Sequence, residues 1–323
     1  MALLALAAVA AMTLFLLAFA YPATSQAPRH LPIVVAGPTA AVEQVEARLN
    51  AQGGDAFDVV PVADRDVAVA EVLDRRAYGA IVLGPQGPAE VLTASAASPV
   101  VAQLLTQLSQ GLSGSAPPPT VPVTDVAPTP AADPRGAGLA AGSLPLTIGG
   151  IIIGTLTALF VRSALRQLIG AVTAAALGAA VVVAVLHGWF GSLAGNVWAE
   201  WAAIAGGVTA IALVLIGMNA LFGRAGLIVA DLALVLLGNP LSAATSAPEL
   251  LPRGWSAIGQ WMPLGATVDL LRGISGFDGA RSAPAALALA AWASLGLSML
   301  AVAAVRRRPV AQIQAPEPAH VPA

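Results

Sequence analysis

The sequence predicts an all-α polytopic membrane bundle of six transmembrane helices, with a small extracytoplasmic α/β domain between helices one and two. Three observations predict it. The 323 residues are 57% hydrophobic and 10% charged, with a mean hydropathy of +0.81, whereas a soluble domain carries roughly 25% charged residues. Six stretches are apolar over the ~20 residues needed to cross a bilayer core about 30 Å thick. One window, residues 22–112, has instead the mixed composition of a water-exposed unit.

The first span, Ala2 to Tyr21, ends near Ala18-Phe19-Ala20, which has the form of a signal-peptidase site. The apolar run is longer than a usual signal h-region and has no basic residue before it, so a retained helix is expected. In the following window, "LPIVVAG", "FDVVPV" and "YGAIVLG" read as buried strands. "TAAVEQVEARLNAQ" places Val42, Val45 and Leu49 on one face and turns Glu43, Glu46 and Arg48 away, and "DRDVAVAEVLDRRA" repeats the pattern. Strand, helix, strand, helix, strand makes a small α/β unit. At roughly 60 residues its core would be thin, so it is expected to lean on a partner copy or on the membrane portion. Residues 113–143, with Pro117, Pro118 and Pro119 in succession, read as an extended linker, and "GAGLAAG" at its end as a flexible loop.

The membrane region, 144–305, holds the remaining spans: Leu144 to Val161, Leu168 to Leu186, Ala199 to Phe222, Ala225 to Ala244 and Ala283 to Val305. A tail, 306–323, comes after them. Gly150 and Gly154 form a G-x-x-x-G pair, and Gly170, Ala174 and Gly178 continue small residues along one face of span three, suited to close helix packing within the bundle or to a dimer seam. Arg162, Arg166, Arg224 and the run Arg306 to Arg308 fall on one side if both termini are cytoplasmic, which the positive-inside rule favours. Pro240 removes an amide donor and is expected to kink or end span five.

Composition excludes several functions. A net charge of −2 offers no basic surface for nucleic acid. Every basic residue is arginine, so no Walker-type ATPase loop, which needs a lysine, exists in this chain, and any ATP would have to be handled by another subunit. Cysteine is absent, and His30, His187 and His320 are scattered, so no hydrolase, metal or cofactor signature survives and an enzyme is not expected. Asp231 is the one acid well inside a span, roughly 7 Å in along the helix axis. A hairpin at Phe222 to Ala225 would bring the Asn219 amide to its depth, either as a polar clamp or as part of a proton or substrate site.

Between the last two spans lies an insert, residues 245–283, rich in Trp and Pro. Trp255, Ile258 and Met262 share a helical face with Trp261 at its edge, and Pro263 breaks that helix. Val268, Leu271 and Ile274 then recur every three residues, with Asp269 and Arg272 paired at i, i+3 on the other side. Two amphipathic helices lying in or dipping into the outer interface are expected.

The stretch "GNPLSAATSAPELLPRGWSAIGQWMPLGATVDLLRGISGFDG" resembles the last extracytoplasmic segment of type-two ABC exporter permeases, and most nearly that of actinobacterial permeases of the YhgE/Pip (phage infection protein) group. The resemblance covers about Leu144 to Val305. It implies that Pro248, Pro252, Trp255, Pro263 and Arg272 belong to a re-entrant hairpin acting as a gate or lid. It also implies a half-transporter in the cytoplasmic membrane that forms a homo- or heterodimer and couples to a separate cytoplasmic ATPase. The expected function is therefore export of a lipidic or amphiphilic molecule. Two other readings remain: a non-transporting surface protein, such as a phage receptor, and a proton-coupled exporter using Asp231.

Overall fold

The structure is a computed structural model that describes residues 1–84, 87–112 and 121–306. The proline run at 117–119, His320, Arg307, Arg308 and the rest of the tail lie outside the described residues. Helix α1, Ala2–Thr24, contains no charged residue, and its apolar side chains are almost all exposed, as suits a lipid-facing rod. It meets the rest of the molecule at its last turns, where Pro22 is buried and Tyr21 packs on Trp255 with ring centroids 5.3 Å apart.

The α/β domain comes next as β1 Leu31–Ala36, α2 Thr39–Gly53, β2 Phe57–Val62, α3 Arg65–Leu73, β3 Gly79–Gly84, β4 Gly87–Thr93, α4 Pro99–Leu112 and β5 Val123–Asp125. These strands form one sheet in the order β2-β1-β3-β4-β5, with β1 parallel to β2 and β3, and β4 antiparallel to β3. The period-two alternation of β1 feeds two cores. Leu31, Ile33 and Val35 pack on one face with Val42, Val45 and Leu49 of α2 and with Val101 and Leu105 of α4. Val34 and Ala36 pack on the other with Ala68 and Val72 of α3.

The first five elements are those the alternation predicts; β4, α4 and β5 extend them. β5 also corrects the linker. It pairs in parallel with β4 through Val91 opposite Val123, so the segment from residue 121 is bound to the sheet and is not a free spacer. The other end of the expected linker is helical. In α5, Ala137–Phe160, the first turn is capped by the Asp133 carboxylate, which accepts from the amides of Ala137 (2.8 Å) and Gly138 (2.7 Å). "GAGLAAG" is thus the start of a helix, because the cap comes from upstream of the glycines.

The bundle continues with α6 Ala164–Val183, extended by a π turn at Ala184–Trp189, and α7 Val197–Ala233, extended by a second π turn at Leu234–Gly238 into α8 Asn239–Leu241. A Cβ on Gly150 would lie 2.8 Å from the Ile211 side chain, and one on Gly154 2.9 Å from the Ala212 Cα, so these glycines let α5 and α7 approach closely. The stripe of α6 that packs is Ala171, Ala175 and Ala179, each 0% exposed. Gly170 and Gly178, one position earlier, have open space around them, so they do not serve packing within the bundle. With small residues at both i and i+1, composition alone does not choose the face.

Helix α7 breaks at Gly223, whose φ of 65° and ψ of −154° are not helical. Ile211 and Leu215 before the break share an apolar cluster with Leu227, Ala230 and Leu234 after it. Ile211 and Leu234 would be about 35 Å apart on one straight helix, so the chain turns back on itself. Pro240 marks the end of the second limb, as expected.

After a 3₁₀ turn at Pro248–Leu250 come α9 Trp255–Trp261, α10 Pro263–Gly276 and α11 Ala283–Arg306. Helix α10 does not lie exposed on the surface as an amphipathic helix would. Ala266, Val268 and Leu271 are 0% exposed, and Thr267 and Arg272 are buried as well. It is a core helix, packed against α7 and α11, because Gly207 leaves room for Thr267 and because distant groups satisfy its polar side chains. Among the described residues, five helices are long and apolar enough to cross a membrane: α1, α5, α6 with its π extension, the broken α7 unit and α11. The protein is a mostly helical, polytopic membrane bundle. Its α/β domain sits at one end, with exposed Arg162, Arg166, Arg224 and Arg306 at the other.

Candidate functional site

The insert expected at the interface forms a joint between the domain and the bundle. Ala247 and Leu250 enter one core of the domain and Phe277 enters the other. Backbone bonds reinforce the seam: the Ala27 amide donates to the Leu250 carbonyl (3.1 Å) and the Arg29 amide to that of Glu249 (3.0 Å). The domain therefore leans on the membrane portion, one of the two supports its thin core was expected to need.

Among the described residues, four side-chain polar contacts cross this seam, the outermost an exposed ion pair between Arg253 and Asp55 at 3.2 Å. The Tyr78 hydroxyl donates to Glu249 Oε2 at 2.7 Å. Burial, and then the adjacent Glu249 carboxylate, push the Tyr78 phenol well above its ordinary range, so it remains a donor. Arg75 pairs with Asp269, donates to the Ala280 carbonyl (3.3 Å) and lies over the Phe277 ring at 5.6 Å. Arg29 donates to the Leu250 carbonyl at 2.9 Å.

Arg272 does not pair with Asp269. Its Nη2 donates to the carbonyls of Ala243 (2.8 Å), Ala244 (2.9 Å) and Ser246 (3.1 Å), just past the end of α8. An i, i+3 ion pair on a helix contributes only about 0.2–0.5 kcal/mol, whereas a guanidinium bonded to otherwise orphaned carbonyls in a buried site contributes about 1.5–3 kcal/mol per bond. The cap wins. Burial lowers the Arg272 pKa from its ordinary value, while the nearby Tyr78, Asp269 and Glu249 act the other way; a guanidinium stays charged throughout.

Beneath the seam lies a cleft of about 400 Å³. Its polar wall holds Arg75, Arg76, Tyr78, Glu249, Asp269, Arg272 and Arg281, so four guanidinium groups face two carboxylates. Its apolar wall holds Trp261 and, from the first turns of α11, Pro284, Ala285 and Ala288. Trp261 is 63% exposed, and its carbonyl accepts from Trp292 Nε1 at 2.6 Å.

Of the residues singled out by sequence, Pro248, Trp261, Asp269 and Arg272 line the cleft, while Pro252, Trp255 and Pro263 shape its frame. Pro252 is buried in the turn before α9, Trp255 receives Tyr21, and Pro263 starts α10 after the extended Met262. Asn219 and Asp231 are elsewhere and do not meet. Asn219 donates to the Ala158 carbonyl at 3.2 Å. The group facing Asp231 is the Thr155 hydroxyl, yet Asp231 Oδ1 and Thr155 Oγ1 are both buried without a well-formed hydrogen bond. The expected clamp fails because α5, on the same side of the hairpin, offers each residue a nearer partner.

Sequence reasoning singled out none of Arg75, Tyr78, Glu249 and Arg281 as site residues. The available signal was weak: an "RRAY" turn before β3 and a lone acid between prolines. Glu200, at the start of α7, is 0% exposed; its carboxylate bonds to His187 Nδ1 (2.7 Å) and accepts from the Gly195 amide (2.8 Å). Among the described residues no three His, Asp or Glu side chains come together as a metal site would need. No family model matches the chain, and no curated protein or solved structure matches it.

Proposed function

We propose that the chain is the permease subunit of an ABC-type exporter, moving a lipidic or amphiphilic molecule across the cytoplasmic membrane with a separate ATPase. The observation that carries this reading is the α9–α10 hairpin. It is a broken helical element whose second limb, α10, is buried in the bundle while α9 stays largely exposed, tied to an external domain and opening beside it into a cleft with one polar and one apolar wall. Counting the two limbs around Gly223 separately gives six spans, with both termini on the arginine side. By the positive-inside rule that side is cytoplasmic and the domain is external. The arginine end also holds a second crevice of about 500 Å³, lined in part by Arg162, Gln167 and Asn219, where a cytoplasmic partner could seat. The resemblance to type-two exporter permeases and the YhgE/Pip group points the same way and adds dimerisation.

The test has two parts. The tagged protein should co-purify with an ATPase, and replacing Trp255 or Arg272 should abolish export or drug resistance at an unchanged membrane level. An absent ATPase together with no transport phenotype would sink the proposal.

A further inference from the structure

The cleft between the α/β domain and the bundle has a chemical bias that the export reading does not specify. Both of its carboxylates are already engaged, Asp269 by Arg75 and Glu249 by the Tyr78 hydroxyl. Arg76 turns to Glu71 (3.4 Å) and Asp74 (3.9 Å). That leaves two cations. Among the described residues Arg281 forms no ion pair, and Arg272 makes its three bonds through Nη2 alone, so that its Nε and Nη1 have no protein partner there. Two open guanidinium edges in one recess suit an oxyanion such as a phosphate ester, which accepts bidentate N–H bonds.

The position of the cleft narrows the ligand further. The same recess is walled by Trp261 and by the first turns of α11, a helix long and apolar enough to cross the membrane. Trp261 ends the short helix α9 beside that span, and an exposed indole flanking a spanning helix suits headgroup depth. A molecule entering from the outer leaflet would meet the arginines with its headgroup while its chains stayed against apolar surface.

We infer that this cleft binds the anionic, phosphate-bearing headgroup of an amphiphile, with Arg272 and Arg281 as its ligands and Trp261 beside the first carbons of its chains. This deepens the export proposal and rests on it only for the fate of the molecule once bound.

The test is displacement of a fluorescent short-chain phosphatidylglycerol from the purified full-length chain in zwitterionic detergent. Competitors are unlabelled phosphatidylglycerol, phosphatidylcholine and inorganic phosphate. Phosphatidylglycerol should compete at least about tenfold better than either of the others, and more weakly as salt rises. Arg281→Gln should weaken binding about three- to fivefold, as for a partly exposed charge. Arg272→Lys, which keeps the charge but loses the fork, should weaken it about tenfold. Should Arg272→Lys fail to fold, Arg281→Gln alone decides. Equal competition by phosphatidylcholine, or unchanged binding in Arg281→Gln, would overturn the site. Phosphate competing as well as phosphatidylglycerol would assign the cleft to a small soluble anion and overturn the amphiphile. Binding that persists in a chain that exports nothing sinks the export proposal and leaves this site standing; export without binding does the reverse.

Discussion

Tyr78 and Glu249, 171 positions apart in sequence, share a 2.7 Å hydrogen bond that ties the end of the α3–β3 turn to the 3₁₀ turn leading into α9. The phenol stays protonated and, among the described residues, the carboxylate has no closer partner. Tyr78→Phe should therefore loosen the joint by about 1–2 kcal/mol, the range for a hydrogen bond to a charged acceptor that keeps some access to water. A lower melting temperature in detergent and faster amide exchange in residues 247–250 would report it. An unchanged exchange pattern would mean the apolar contacts hold the domain alone.

Glu90 makes the domain sensitive to acid. Arg65 donates to it through Nε (2.6 Å) and Nη2 (3.0 Å), and Thr124 of β5 donates to Oε1 (2.6 Å). The Arg65 hydrogen bond first, and then that from Thr124, hold the carboxyl below its ordinary range. A carboxyl lowered on folding binds fewer protons in the native state. Its contribution is thus fully present above the unfolded value of about 4.3 and is lost as pH falls through the folded one. Thermal melts from pH 7 to 3 should show this loss in the native chain and a shallower one in Glu90→Gln.

Gly154 and Gly170 make a matched pair. Gly154→Val should cost about 1–3 kcal/mol, since its Cβ would meet the Ala212 Cα and Leu215. Gly170→Ala should be neutral or slightly stabilising, because nothing lies within 4 Å and alanine favours a helix. Melting temperatures of the two variants separate packing inside the bundle from a seam at Gly170; a large loss in Gly170→Ala would place another helix surface against that face.

Asp231→Asn should leave export and its pH dependence unchanged. The residue faces one threonine hydroxyl, Asn219 is engaged at Ala158, and among the described residues no second titratable group continues a proton path. A shifted pH profile for transport would restore the proton-coupled alternative.

Single cysteines can test the orientation directly, since the native chain has none. Arg253→Cys should react with an impermeant thiol reagent on intact cells, and Arg224→Cys only after permeabilisation. The reverse pattern would invert the proposed topology.

What the sequence determined by itself is local and periodic. Unbroken apolar runs made the spanning helices unavoidable, and period-two alternation in "LPIVVA" assigned its residues to two cores before any partner was known. The 3.6-residue spacing of Val42, Val45 and Leu49 likewise chose the buried face of α2. Tertiary structure decided everything that depends on a distant polar partner. Asp269 and Arg272 look like a local pair, yet one answers Arg75 and the other caps the end of α8, and only this removes the polar face that would have kept α10 at the surface. The face on which α6 packs was likewise undecidable while Gly170 and Ala171 were equally small. Apolar burial is additive and leaves its period in the chain, whereas a buried charge goes wherever unsatisfied donors and acceptors happen to be brought within about 3 Å, and no local pattern records where that is.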